Sequence, residues 1–180
     1  MDLKKVIIDP EKFFGFQLGS DRKIARWDDI VSYFDHLQEC SSRIIVQNIG
    51  ATAAGNPFFL VIISAPHNLE NLETIRKVNL AISDPENLCD EERKRLIIDG
   101  KAVICQSMGL HANEIGGSQM APELAYDLLT RTDEETHRIL ENVIFLMVPS
   151  STVPSGYFSA TTSHGFGEIC FMPREMRFLS

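Results

Sequence analysis

The sequence predicts an α/β domain with a mixed parallel and antiparallel sheet flanked by helices. Three observations carry that expectation. Segments with helically spaced apolar residues alternate with short apolar runs. Two of those runs, Arg43 to Ile49 and Phe58 to Ser64, are joined through TAAGNP, whose Gly, Asn and Pro make a hairpin the economical connection and so supply an antiparallel pair. A third run, NVIFLMV from Asn142 to Val148, is apolar at alternate and intervening positions alike, as a strand covered on both faces must be.

Taken in order, residues 1–24 read as an extended lead-in, punctuated by Pro10, Gly15 and Gly19 and packed by Phe13, Phe14, Phe16 and Leu18. From Arg26, the spacing of Trp27, Ile30, Val31, Phe34 and Leu37 predicts a helix ending near Ser41. After the hairpin, Asn68 reads as the cap of a helix holding Leu69, Leu72, Ile75 and Val78, with Pro85 closing the region. A short polar helix over Glu91 to Ile98 leads to the turn signal Asp99-Gly100. An apolar run then follows Lys101 through Ala102, Val103, Ile104 and Cys105, and Gly109 and Leu110 lead to His111 and Glu114. The amphipathic segment beyond contains Pro122, so a helix either starts near Ala121 or is kinked there. Asp133 reads as the cap of a brief helix through Leu140. The last thirty residues are rich in Ser, Thr and Gly and have no sustained period. They read as loop, with one short strand near Ile169 to Met172.

The chain's 180 residues are one domain by length, and its 44% apolar and 23% charged content is that of an ordinary globular protein. A net charge of −8 argues against a nucleic-acid partner, which needs a basic face. No apolar run reaches membrane-spanning length, so no membrane partner is expected. The first fifteen residues lack a signal peptide's apolar core, so the sequence as written reads as cytoplasmic. Cys40, Cys89, Cys105 and Cys170 form no Cys-x-x-Cys pair and read as plain thiols.

His-x-x-Glu occurs three times, so spacing alone is weak evidence of a site. His36 with Glu39 reads as the solvated face of a helix. His67 with Glu70 follows a strand, but Pro66 and Asn68 look like turn and cap chemistry and no glycine opens the backbone to a ligand. His111 with Glu114 has the better context. It follows an apolar strand at the end where open α/β sheets bind ligands, Gly109 permits a sharp turn, and Gly116-Gly117 removes side chains where another group must come close. On a first helical turn these two side chains would share one face, and an imidazole and a carboxylate so placed can hold a zinc ion. From the spacing alone, a His–Glu hydrogen bond capping a turn is an equal reading. A working zinc site also needs a third protein ligand, a water and a general base.

The segment GLHANEIGGSQMAPELAYDLL resembles the first metal-binding block of the zinc carboxypeptidases, and the likeness is wider than the motif. PEKFFGFQLGSDRKIARWDDIVSYFDHL, the hairpin with its Gly-x-Pro-Phe centre, and RILENVIFLMVPS are similar to a bacterial branch of that family, from about Asp9 to Ser150. The resemblance implies a carboxypeptidase-like fold, zinc on His111 and Glu114, and peptide substrates cleaved at the C-terminal bond. Beyond Ser150 the likeness stops: the family's Asn-Pro-Asp-Gly turn reads SSTVPSG here, where only Pro154 and Gly156 arguably survive. The family's substrate-gripping Asn-Arg pair, second zinc-binding His, Tyr and late general-base Glu have no match. His164 lacks the preceding Asp-x-His strand, and Glu168 and Glu175 match nothing.

Residues 1–150 are therefore expected to form the N-terminal part of a carboxypeptidase-like catalytic domain, incomplete as a fold, and residues 151–180 an atypical tail left by truncation or a shifted reading frame. The leading expectation is a zinc metallocarboxypeptidase-like protein, impaired as it stands. The alternatives are a zinc deacylase of N-acyl amino acids, which uses a similar block, and a non-catalytic metal-binding fragment. Relatives in this branch are often exported, which leaves localisation open, as is the oligomeric state. A sheet interrupted at this point is expected to leave Asn142–Val148 at an exposed edge or without a neighbour.

Overall fold

A computed structural model describes residues 6–52, 55–111 and 113–150. The expectations for the 151–180 tail, including Cys170, His164, Glu168, Glu175 and the strand near Ile169 to Met172, fall outside the described residues.

A four-stranded sheet in the order β1-β2-β4-β3 forms the centre. β1 (Ile44–Ala51) and β2 (Pro57–Ile63) are the hairpin, antiparallel, with Ile44 opposite Ile63 and a bulge between Asn48 and Gly50. β4 (Val143–Val148) lies antiparallel to β2, with Ile62 opposite Leu146, and parallel to β3 (Ala102–Ser107), with Ile104 opposite Phe145. The fold is thus the mixed α/β arrangement predicted. Strand alternation divides the core. Phe59, Val61, Ile63 and Met147 face one side, where they meet Ile30, Phe34 and Leu37 of α2 (Trp27–Cys40) and Ala121, Ala125 and Leu129 of α6 (Ile115–Thr130). Leu60, Ile62, Ile144, Leu146 and Val148 face the other, where they meet Leu69 of α3 (Pro66–Glu70) and Leu72 and Ile75 of α4 (Leu72–Ser83). β4 is covered on both faces, which is why its sequence is apolar throughout.

Four expectations are corrected. β4 is interior, paired on both sides; the edge strands are β1 and β3, and on β3 Ile104 is 50% exposed. The lead-in contains a short helix, α1 (Pro10–Phe14), started by Asp9 accepting from the Glu11 N–H and by Pro10 in the first turn, and ended at Gly15 with φ +75°. Five residues are too few to show a period. Of the two readings of Pro122, the helix start near Ala121 is overturned: Pro122 lies inside α6, which begins seven residues earlier at Ile115, and the lost bond is one that Ser118 O would have accepted. Asn68 is not a cap. Its buried amide donates to Ser64 Oγ at 3.0 Å and to the carbonyls of Leu140 and Glu141, both at 3.1 Å, tying α3 to the end of α7 (Glu134–Asn142). Asn68→Ala is therefore expected to cost about 1–3 kcal/mol, read as a lower urea midpoint at unchanged slope. A change below about 0.5 kcal/mol would show the amide network to be dispensable.

The remaining helices match the sequence closely. α5 (Asp90–Asp99) is the polar helix before β3, and α7 starts at Asp133, whose Oδ1 accepts from the Thr136 N–H at 2.9 Å. Among the described residues no helix is long and apolar enough to cross a membrane. Cys40, Cys89 and Cys105 are thiols, and burial pushes that of Cys105 up.

Candidate metal centre

β3 and β4 run parallel, so the chain leaves both at the same end of the sheet. The Met108 N–H donates to Val148 O at 3.0 Å and continues their pairing by one step. Gly109 then turns with φ +58°, a left-handed conformation that side chains resist. A Cβ there would lie 2.8 Å from Ser118 Oγ and 3.2 Å from Ser150 Oγ, so the loop after β3 is packed between α6 and the chain leaving β4. Gly117 serves the same close approach from the helix side: a Cβ on it would lie 3.2 Å from Gly109 N and 3.3 Å from Met108 Cβ. Gly116, by contrast, faces open space.

The loop carries His111 and Glu114. They are not on a helical turn, as spacing suggested; Glu114 is the residue preceding α6, and its N–H donates to His111 O at 2.9 Å. The carboxylate folds back over this turn. Oε2 accepts from the His111 backbone N–H at 3.0 Å, and Oε1 lies 2.8 Å from His111 Nδ1. Both side chains are about half exposed. The hydrogen bonds from the His111 side chain and backbone hold the Glu114 carboxyl below the usual carboxylate range, so it is ionised at neutral pH.

The other two His-x-x-Glu pairs do other work. His36 Nε2 accepts from the Ile8 N–H at 3.0 Å, and the ring stacks on Phe13 at 5.8 Å, fastening the lead-in to α2. His67 Nε2 lies 3.5 Å from Glu141 Oε2 rather than on Glu70, and His137 Nδ1 approaches the same carboxylate at 3.8 Å. Of the three pairs, His111 and Glu114 alone form their own close contact on a loop at the carboxyl end of parallel strands. Among the described residues, no group of three or more His, Cys, Asp or Glu is placed to hold a metal ion.

The zinc carboxypeptidase family model (Peptidase_M14) matches residues 30–167. The chain belongs to the zinc carboxypeptidase family. Among solved structures, carboxypeptidase A from Helicoverpa armigera aligns with a TM-score of 0.51 and 14% identity, over 82% of this chain and 31% of that one. At that identity the likeness bears on the fold, and the described sheet with its flanking helices is a carboxypeptidase fold in part. The chain spans about a third of the length of that carboxypeptidase. A comparison with curated proteins finds no match.

Membership in a zinc carboxypeptidase family implies zinc, and the chemistry of the donor set is compatible with it. One imidazole and one ionised carboxylate on a partly exposed loop are ordinary zinc donors. The sharp turn at Gly109 and the close approach at Gly117 are as the sequence predicted, whereas Gly116 has open space around it.

Proposed function

We propose that this chain is a metallocarboxypeptidase-like protein in which His111 and Glu114 hold zinc and whose substrate class is peptides with a free C-terminus. The observation that carries this reading is the placement of His111 and Glu114 side by side on the loop at the carboxyl end of the parallel β3–β4 pair, in a chain of this family; zinc would replace the 2.8 Å hydrogen bond that now joins them. Zinc bound there would polarise a carbonyl and lower the pKa of a bound water. The chain's own residues contribute the rest. The His111 N–H and side chain fix the carboxylate, Gly109 and Gly117 let the loop lie flat on α6, and the half-exposed pair stays open to a ligand.

Turnover needs a third ligand and a general base, and among the described residues no third metal donor stands with this pair. The proposal therefore includes weak or absent hydrolysis by this chain. A substrate panel tests it on the zinc-loaded protein. Any hydrolysis is expected with C-terminally free peptides and not with N-acyl amino acids, at rates far below the usual enzymatic range of 1–10³ per second. Preferential release of acyl groups would move the assignment to the deacylase type.

A further inference from the structure

A second feature begins one residue after Glu114. Ile115 and Gly116 open onto a cavity of about 550 Å³ between the first turns of α6 and the loop Leu18–Ile24, within the size range of small-ligand sites. Its walls are mostly apolar, from Leu18, Ile24, Ile115 and Met120. Two of these stand out, because Ile24 is 57% and Met120 47% exposed, a cost in contact with water that a bound apolar group removes. Gly116 adds room, since nothing lies within 4 Å of where its Cβ would be.

The outer wall is built to hold its shape. Gln119, 7% exposed, accepts from the Ala25 N–H at 2.7 Å and donates to Ala25 O at 3.2 Å, so the end of the loop is clamped to α6 in both directions. Two successive turns, from Ser20 N–H to Gln17 O and from Lys23 N–H to Ser20 O, shape the rest. Within them Arg22 is held at φ +59°, a left-handed conformation that L-residues resist. Lys23 is drawn over the Phe16 ring at 5.5 Å. The charges on the walls, Asp21 and Glu123 against Arg22 and Lys23, balance, so the cavity selects by apolar fit rather than by charge.

We infer that this cavity is a specificity subsite that takes an apolar side chain of the peptide substrate, a few residues away from the bond presented to His111 and Glu114. Its position one residue along the chain from Glu114, together with its largely apolar and clamped walls, suits a peptide side chain as the occupant. The inference deepens the peptide-substrate reading above and rests on it.

The test is a leucine walk. Fluorescein-labelled Gly/Ser peptides with a free C-terminus, each carrying one leucine at a successive position, are titrated against the full chain by fluorescence anisotropy with its zinc content measured in parallel. One leucine position should bind at least ten-fold tighter than the others. That preference should vanish in Met120→Glu and in Ile24→Glu, two half-exposed sites where glutamate can be accommodated, with melting and zinc content unchanged. A flat walk, or a preference that survives both variants, overturns the inference. So does concentration-dependent self-association that Met120→Glu abolishes, because the occupant would then be a second copy. Leucine-dependent binding lost in both variants but without zinc uptake would fail the zinc reading and keep the subsite, whereas zinc uptake with a flat walk would do the reverse.

Discussion

Truncating Phe34 to alanine is expected to remove about 3–5 kcal/mol of unfolding free energy, the largest stability loss among the substitutions considered. Phe34 is fully buried where α2 meets the sheet, its ring 5.5 Å from that of Phe59, and Phe59 in turn stacks on Trp27 at 5.3 Å. Removing the ring deletes one end of this aromatic group and leaves a cavity that α2, clasped at its other turns by Ile30 and Leu37, closes only in part. In a chain of this size the loss corresponds to a fall of roughly 6–20 °C in the melting temperature. Calorimetry checks it. A cost under about 1 kcal/mol would mean that α2 is not packed on the sheet as described.

The second large effect is local to the candidate metal centre. Gly109→Val places a β-branched residue at φ +58° and drives its Cβ to 2.8 Å from Ser118 Oγ, inside contact distance. The backbone strain alone is worth about 1–3 kcal/mol. Relief requires the loop to lift from α6, and His111 and Glu114 lift with it. Zinc affinity is therefore expected to fall ~10–100-fold, the size of effect seen when the support behind a ligand is lost. Gly116→Ala is the matched control, since its Cβ meets nothing and alanine suits a helix better by roughly 0.5–1 kcal/mol. Isothermal titration of zinc into both variants checks the pair. Equal affinities would separate the metal loop from the packing of Gly109.

Much of this fold can be read from the residues, because the elements that bury most carry the clearest periods. Trp27, Ile30, Phe34 and Leu37 repeat at helical spacing and form one side of α2 against the sheet. NVIFLMV is apolar at every second position twice over, and β4 does pack on both faces. Features decided by tertiary contact were less legible. Asn68 looks like a cap in sequence because an Asn before an apolar-periodic segment usually is one, yet its amide is spent on Leu140 and Glu141, more than seventy residues away. Pro122 left open a helix start near Ala121 or a helix kinked at the proline, and α6 runs through it with its ring buried. β3 and β4 look alike as apolar runs, and which of them lies at the edge depends on sheet order, to which neither sequence refers.

The candidate site divides in the same way. His111 and Glu114 were legible because strand, glycine and His-x-x-Glu occur together. Their actual relation, a carboxylate folded back onto the His111 N–H from the position before the helix, depends on the left-handed turn at Gly109 and on Gly117 meeting it. Gly116, which sequence reading grouped with Gly117, faces a cavity instead.

The claim that His111 and Glu114 form a zinc half-site is tested most directly by bound metal. The purified full chain, its His111→Ala variant and its Glu114→Ala variant are loaded with zinc, desalted and measured by atomic absorption, with circular dichroism confirming equal folding. Zinc is expected on the parent chain and is expected to be lost or sharply reduced in both variants. Equal zinc on all three proteins, or none on the parent chain, would contradict the account.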